Sequence, residues 1–254
     1  MDFGIKGKVA IVTGTNRKGA LGCDIATTLA AEGVNIACVD LMVEGAEAIA
    51  NDLLEMGVNA KAYKVDQRDY KQVAETVARI KEDLGPPEIL INNAILLKGS
   101  GRIESTSVED WQGLMKIELD GPWYWIREVW QSMAEQKWGR IINISSISGV
   151  LGGFGQANYS TAKAGVIVMA KTAALEGARL GITANAVTIG VVDTSEGRIN
   201  GVEMFQRIKA RIAMHEFGEP ADVSNCVAFL VSKRAKYITG QNIHVMGGLD
   251  LFTY

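Results

Sequence analysis

Apolar and polar residues along this chain follow two rhythms that replace one another from end to end. Short apolar runs bounded by Gly, Asn or Asp read as buried strands at residues 8–13 (KVAIVT), 34–40 (VNIACVD), 60–65 (AKAYKV), 89–91 (ILI), 140–145 (RIINIS), 183–188 (TANAVT) and 243–245 (IHV). Between them, apolar positions recur three and four residues apart, the helical period, over residues 23–32, 70–84, 108–136 and 220–232. From Asn158 the same period returns with Val166, Met169, Ala173 and Ala174. Strands that alternate with helices predict an α/β architecture, a parallel sheet covered by helices on both faces. No proline- or serine-rich linker, charge block or repeat divides the 254 residues, so residues 1–254 are expected to form one domain.

Composition narrows the choice of function. A hydrophobic content of 48% with 22% charged residues is ordinary for a globular protein, and a net charge of −3 gives no electrostatic reason to expect nucleic acid as a partner. Cys23, Cys38 and Cys226 are widely spaced, with no CxxC and no nearby histidine pair, so reduced thiols are expected rather than disulfides or a metal site. The first residues, MDFGIKGKVAIVTG, enter a strand too early for a signal peptide, and no apolar run has membrane-spanning length. A cytoplasmic location without membrane association is the expectation.

The densest chemistry lies in residues 139–179. A strand leads through Gly149, Gly152, Gly153 and Gly155, where the chain must turn sharply, into a helix. Tyr159 and Lys163 stand at i and i+4 on one face of that helix, and Ser146 stands at the strand exit. A phenol, with an ordinary pKa of about 10, is a poor base near neutrality unless an adjacent cation favours the phenolate. Lys163 can be that cation, Ser146 can hold a substrate oxygen, and Tyr159 can then take a hydroxyl proton or return it. By themselves, a Tyr and a Lys four apart are more often solvated neighbours on a surface helix. Here Ser146, thirteen positions before the Tyr159 of YSTAKAG, completes a pattern that resembles the short-chain dehydrogenase/reductase family. The resemblance implies hydride-transfer catalysis by Ser146, Tyr159 and Lys163, with Tyr159 and Lys163 also meeting the cofactor and Lys163 holding the nicotinamide ribose. It also implies a single-domain, Rossmann-type, doubly wound parallel sheet of seven strands.

Residues 8–40 read as a strand, a glycine-rich loop, a helix and a second strand, a unit that sets a helix N-terminus against an anionic pyrophosphate. The family's loop reads TGxxxGxG, whereas this one is TGTNRKGALG, two residues longer, with Ala20-Leu21-Gly22 in place of the final GxG. The resemblance implies that Gly14, Asn16, Arg17 and Leu21 meet the cofactor. Asp40, closing the second strand, can accept hydrogen bonds from both hydroxyls of an adenosine ribose and would repel a 2′-phosphate, which favours NAD. Arg17 and Lys18 argue for NADP, and Asp40 outweighs them because its charge would sit against that phosphate. Leu41, then Asp66 and Gln67 near the adenine, and Asn93 and Ala94 after the fourth strand are further cofactor positions that the resemblance implies.

The second half departs from the family pattern at several points. The motif NNAG is here Asn92-Asn93-Ala94-Ile95, and Ile189 replaces the proline of a Pro-Gly pair. Glu118 stands where the family has an Asn supporting a water relay to the lysine; an amide donates and accepts, whereas an ionised carboxylate only accepts. Two outcomes are open: Glu118 accepts from a relay water or from Lys163, or the relay is rerouted and turnover slowed. Val192 is implied to address the nicotinamide carboxamide and Thr194 its amide or a phosphate. Trp111, Trp123, Tyr124, Trp125 and Trp130 are expected in the core and, by the resemblance, in a subunit interface of a homotetramer or dimer, with a substrate wall as the alternative. Residues 195–214, polar and then amphipathic, are expected to form a lid over the substrate.

The leading expectation is an NAD-dependent oxidoreductase that interconverts a secondary alcohol and a ketone. Leu96, Leu97, Val150, Leu151, Phe154 and Ile189 form an apolar set that suggests a hydrophobic or cyclic substrate. Two alternatives stand beside it. Glu118, Ile95, Ile189 and the longer loop are compatible with a cofactor-binding sensor or assembly subunit of little turnover, and the same triad serves an NADP-dependent ketoreductase.

Overall fold

Seven strands, Val9–Thr13 (β1), Asn35–Asp40 (β2), Ala60–Lys64 (β3), Ile89–Asn92 (β4), Gly139–Ser146 (β5), Ile182–Ile189 (β6) and Asn242–Val245 (β7), pair in parallel in the order β3-β2-β1-β4-β5-β6-β7. The structure is a computed structural model that describes residues 2–96, 99–194 and 201–251, with the backbone alone at residues 201–205. Each strand agrees with its sequence expectation to within one residue at either end. The helices are Leu21–Ala31 (α1), Val43–Glu55 (α2), Tyr70–Asp83 (α3), Val108–Met115 (α4), Gly121–Glu135 (α5), Ser148–Leu151 (α6), Ala157–Gly177 (α7), Gly201–Arg211 (α8) and Pro220–Val231 (α9).

The strands read as nearly continuous apolar runs because both faces of the sheet are covered. Ala10 and Val12 point into a layer with Ile25 and Leu29 of α1, Ile49 and Leu53 of α2, and Val223 and Val227 of α9. Val9 and Ile11 point the other way, toward Val73 and Val77 of α3, Trp125 and Val129 of α5, and Ala173 of α7. Fully burying one such aliphatic side chain contributes about 1.5–3 kcal/mol. Cys38, on β2, is buried in the first layer, and burial pushes its thiol up to about 12.

Local chemistry sets the helix starts. Asp69 caps α3 by accepting from the Lys71 N–H at 2.9 Å, and Ser107 caps α4 by accepting from the Asp110 N–H at 3.0 Å. Pro220, at the start of α9, follows Glu219, which forms a reciprocal capping box with Asp222.

Two expectations are corrected, and one lies partly outside the described residues. The helix expected over residues 108–136 is two helices, because Lys116–Asp120 forms one turn of π-helix between α4 and α5. The helix expected over 23–32 starts earlier, at Leu21, and α2 was not read from the sequence at all. Of the expected lid, residues 195–200 lie outside the described residues, and α8 supplies 201–211.

Chain order places the site. The chain runs outward from β1 to β3 and then crosses back, so β4 pairs with the other edge of β1. The loops leaving the C-terminal ends of β1 and β4 diverge there, which opens the crevice in which sheets of this kind bind ligands.

Candidate active site

The loop after β1 is folded tightly onto the end of β4. Gly14 has φ +80°, and a Cβ there would lie 2.8 Å from Asn93 Nδ2 and 2.9 Å from Ala94 Cα. A Cβ on Gly22 would lie 2.1 Å from the Gly14 carbonyl oxygen. Thr13 Oγ1 accepts from the N–H groups of Asn93 and Ala94, each at 3.0 Å, and Asn93 Nδ2 donates to the Thr13 carbonyl at 2.9 Å. Asn93 and Ala94 therefore hold the exits of β1 and β4 together. Thr13 was missed by sequence reasoning, since a threonine ending a strand carries no functional signal of its own.

Helix α1 begins with Ala20 as its extended N-cap residue, and no side chain caps it. Its first N–H groups are left for an anion, and the glycine cradle admits close backbone approach, so these residues fit a dinucleotide pyrophosphate. Gly19, with φ +78°, has open space where a Cβ would stand, unlike Gly14 and Gly22 of the same loop.

Asp40 Oδ1 accepts from Asn16 Nδ2 at 3.1 Å and from the Met42 N–H at 2.9 Å. Burial pushes the Asp40 carboxyl above the usual range, while hydrogen bonds from Met42, Asn16, Leu41 and Thr15 pull it down. Leu41 is exposed beside it. Lys18 pairs with Asp52 of α2 at 2.5 Å, on the surface. Asp66 is held below the usual carboxylate range by Arg68, whose Nη2 lies 2.5 Å from Asp66 Oδ2. Gln67 behaves differently from its neighbour. Its Nε2 donates to the Ile117 carbonyl at 2.8 Å and its Oε1 accepts from Trp125 Nε1 at 3.2 Å, so the amide braces the π-helical turn.

The three candidate catalytic residues sit around the C-terminal end of β5. Ser146 closes that strand opposite Ile189 of β6, and its Oγ accepts from the Ser148 N–H at 3.2 Å at the entry to α6. Tyr159 lies in the first turn of α7 and Lys163 one turn later. Helix α7 is bound closely to β5: Ser145 Oγ donates to the Lys163 carbonyl at 2.8 Å and Asn143 Nδ2 to the Val166 carbonyl at 2.9 Å. A Cβ on Gly149 of α6 would lie 2.7 Å from the Lys163 carbonyl carbon, which is why the short helix needs glycine there.

Lys163 Nζ is buried, donates to the Ile144 carbonyl at 2.9 Å, stands 3.0 Å from Glu118 Oε2, and lies 5.7 Å from the centroid of the Tyr159 ring. Burial pushes the ammonium toward the neutral amine, but Glu118 and Tyr159 more than offset it, and the lysine holds its proton above the ordinary value. Glu118 is 1% exposed. Its Oε1 accepts from the Leu96 N–H at 2.5 Å, while the approach of Lys163 to Oε2 is a charge contact outside hydrogen-bond geometry. Glu118 thus approaches Lys163 directly, as a charge contact rather than as a hydrogen-bond acceptor. A helical period cannot reveal that contact, because the π-turn rotates Glu118 relative to an unbroken helix.

Asn158 was also missed. Its Oδ1 accepts from the Tyr159 N–H at 2.9 Å and from Ser100 Oγ at 3.2 Å, and its Nδ2 donates to the Gly99 carbonyl at 2.8 Å. Its one sequence signal is a polar residue next to the candidate tyrosine. Val192 forms an isolated bridge with Gly218, and its carbonyl accepts from the Thr194 N–H at 2.9 Å. Val150, Leu151 and Phe154 are exposed near the site, and Leu97 lies outside the described residues. A groove of about 330 Å³ runs between the loops at 101–104 and 153–157, with Arg102 5.2 Å above the Phe154 ring. Trp125 is fully buried, whereas Trp111 and Trp123 are exposed on α4 and α5. Among the described residues, no helix is long and apolar enough to cross a membrane.

Known proteins resemble this chain along nearly its whole length. Residues 14–250 match the family model described as enoyl-(acyl carrier protein) reductase. The 3-oxoacyl-(acyl-carrier-protein) reductase FabG of Aquifex aeolicus is 35% identical over 250 residues, spanning 98% of this chain and 100% of that protein. The FabG of Escherichia coli is 34% identical over 244 residues, spanning 96% and 98%. Among solved structures, one from Beutenbergia cavernae, assigned as an NAD(P) dependent gluconate 5-dehydrogenase and holding NADP at low occupancy, superposes with a TM-score of 0.92 at 27% identity, covering 99% of this chain and 100% of that one. One from Sinorhizobium meliloti, assigned as a short-chain alcohol dehydrogenase, gives a TM-score of 0.94 at 27% identity and covers 100% of both chains.

Proposed function

This chain belongs to the short-chain dehydrogenase/reductase family as an NAD(P)-dependent oxidoreductase, and we propose that it interconverts a secondary alcohol and a ketone through Ser146, Tyr159 and Lys163. The observation that carries the proposal is the Lys163 ammonium, buried against the Ile144 carbonyl, 5.7 Å from the Tyr159 ring and one helical turn beyond it. Tyr159 Oη takes the hydroxyl proton in oxidation and returns it in reduction. Ser146 Oγ orients the substrate oxygen, and Lys163 keeps a fixed positive charge beside the phenol. The nicotinamide, when bound, supplies the hydride acceptor or donor. Gly14, Asn16, Arg17, Leu21, Asp40, Leu41, Asp66, Gln67, Asn93, Ala94, Val192 and Thr194 are the residues proposed to hold it, together with Tyr159 and with Lys163 at the nicotinamide ribose.

NAD is the proposed cofactor. Asp40, at the tip of β2, supports it by its charge, and Lys18 is drawn toward Asp52 of α2. The NADP in the Beutenbergia structure favours the second reading, an NADP-dependent ketoreductase with the same proton chemistry. The exposed Val150, Leu151 and Phe154 support a hydrophobic or cyclic substrate, and the names of the FabG relatives add 3-oxoacyl thioesters to the ketones worth testing. We further propose one domain with residues 195–214 as its lid, a cytoplasmic location, and a homotetramer or dimer joined through α5 and α7. The exposed Trp123 of α5 and the exposed Val168 and Leu175 of α7 support that assembly.

The test is to titrate NAD(H) and NADP(H), then to follow NADH formation or loss over a panel of secondary alcohols, cyclic ketones and 3-oxoacyl thioesters. Turnover that depends on Tyr159, with NAD preferred, is the expected result. Cofactor binding without turnover on the whole panel would favour the sensor alternative.

A further inference from the structure

Helix α9 packs on β5, β6 and β7 and also on α1. Ile25 and Leu29 of α1 and Val223 and Val227 of α9 belong to one buried apolar layer. Three polar side chains are set into the contact between these two helices. Ser224 Oγ, on a residue only 1% exposed, donates to Asp24 Oδ2 at 2.5 Å and accepts from Thr28 Oγ1 at 3.1 Å. Asp24 lies in the first turn of α1, the turn whose free N–H groups fit a pyrophosphate.

The start of α9 is bound as directly to the loop after β6. The Gly218 N–H donates to the Val191 carbonyl at 3.1 Å and the Asp193 N–H donates to the Gly218 carbonyl at 2.7 Å. Asp222 Oδ2 then accepts from the Glu219 N–H at 2.8 Å, which closes the turn into the helix. Val192 and Thr194 sit in this loop, and β4 and β5 separate its strand from β1. Apolar faces alone hold two helices together without a strong preference for one exact register. A short hydrogen bond from a hydroxyl to a carboxylate has a preferred length and direction. The bond between Ser224 and Asp24 therefore sets where α9 lies along α1, and with it the spacing of the two loops.

Resting on the reading of α1 and the loop after β6 as the pyrophosphate and nicotinamide ends of one cofactor site, we propose that Ser224 and Asp24 are positioning residues that hold those ends in register through α9. One bound dinucleotide has to satisfy both ends at once. Hydride transfer needs the nicotinamide and the substrate carbon close to contact, and a displacement of about 1 Å can cost about 10²-fold in rate. Thr28 completes the link by donating to Ser224 Oγ, which directs the Ser224 proton to Asp24.

The full chain carrying Ser224→Ala, Asp24→Ala or Asp24→Asn tests this. Amide hydrogen exchange of the peptide that contains Asp193 is measured without cofactor, followed by NAD(H) affinity and the single-turnover rate of hydride transfer from NADH to a ketone that the parent reduces. Ser224→Ala and Asp24→Ala are expected to speed exchange at Asp193 and to slow hydride transfer, each by about tenfold, the scale of one lost hydrogen bond to a charged group, while NAD(H) affinity changes much less. Asp24→Asn keeps an acceptor for the Ser224 hydroxyl and is expected to restore most of both. Parent-like exchange at Asp193 or a parent-like transfer rate in Ser224→Ala would overturn the proposal. Equal losses in Asp24→Ala and Asp24→Asn would overturn it too, since a bond to Ser224 does not explain them. If Ser224→Ala fails to fold, Asp24→Ala is judged by the same two readouts. Failure of the cofactor reading looks different, because the parent itself then binds neither NAD(H) nor NADP(H), while the exchange readout needs no cofactor.

Discussion

Asn16 Nδ2 donates to Asp40 Oδ1 across 3.1 Å, which ties the loop after β1 to the tip of β2. The phosphate-side loop and the carboxylate proposed to read the adenosine ribose are therefore one connected surface.

Asp40→Ala is expected to move preference toward NADP. Repulsion between unit charges about 4 Å apart near a protein surface is roughly 4 kcal/mol, so losing it should raise the kcat/KM ratio of NADP over NAD by at least about tenfold. Steady-state kinetics with both cofactors measure this, and an unchanged ratio would remove Asp40 from cofactor choice.

Two glycines of the same loop should behave differently. Gly22→Ala forces a Cβ to 2.1 Å from the Gly14 carbonyl oxygen, so the loop and the start of α1 must shift. Overpacking of this kind costs about 1–3 kcal/mol, and the cofactor affinity should fall with the stability. Gly19→Ala meets open space at φ +78° and carries only the backbone cost of the left-handed region, about 1–2 kcal/mol, with cofactor affinity kept. Urea titration and cofactor binding of both variants separate a built cradle from an ordinary turn; equal losses of affinity would contradict it.

Much of this was legible in the sequence. Strand runs such as residues 8–13 and 140–145 stood out because strands covered on both faces must be apolar throughout, and YSTAKAG identified one face of α7. What escaped depends on three-dimensional neighbours. The π-turn at Lys116–Asp120 shifts hydrogen bonding without changing composition, so the partnership of Glu118 with Lys163 and Leu96 left no periodic trace. Gln67 matched a cofactor position, yet its amide serves Ile117 and Trp125, distant in sequence. Lys18 looked free to meet a phosphate until Asp52 appeared one helix away.

The buried ion pair has a sign that pH can reveal. Burial disfavours the Lys163 charge, but Glu118 and Tyr159 raise its affinity for a proton above the ordinary lysine value of 10.5. Its stabilising contribution is thus full below pH 10.5 and lost as pH climbs through the raised folded-state value. The urea midpoint of the parent should fall more steeply above pH 10.5 than that of the double variant Lys163→Met/Glu118→Gln. Near neutrality Lys163→Met alone, which strands a buried carboxylate, should cost about 3–5 kcal/mol, and the double variant should recover most of it. Additive losses in that cycle would mean the two groups do not interact.

The most direct measurement is the turnover of Tyr159→Phe with NAD binding monitored in parallel. Loss of a positioned proton-transfer group should lower kcat by about 10²–10⁴-fold while NAD(H) still binds. Parent-like kcat in that variant, on a substrate the parent turns over, would contradict the assignment of Tyr159 as the group that moves the proton.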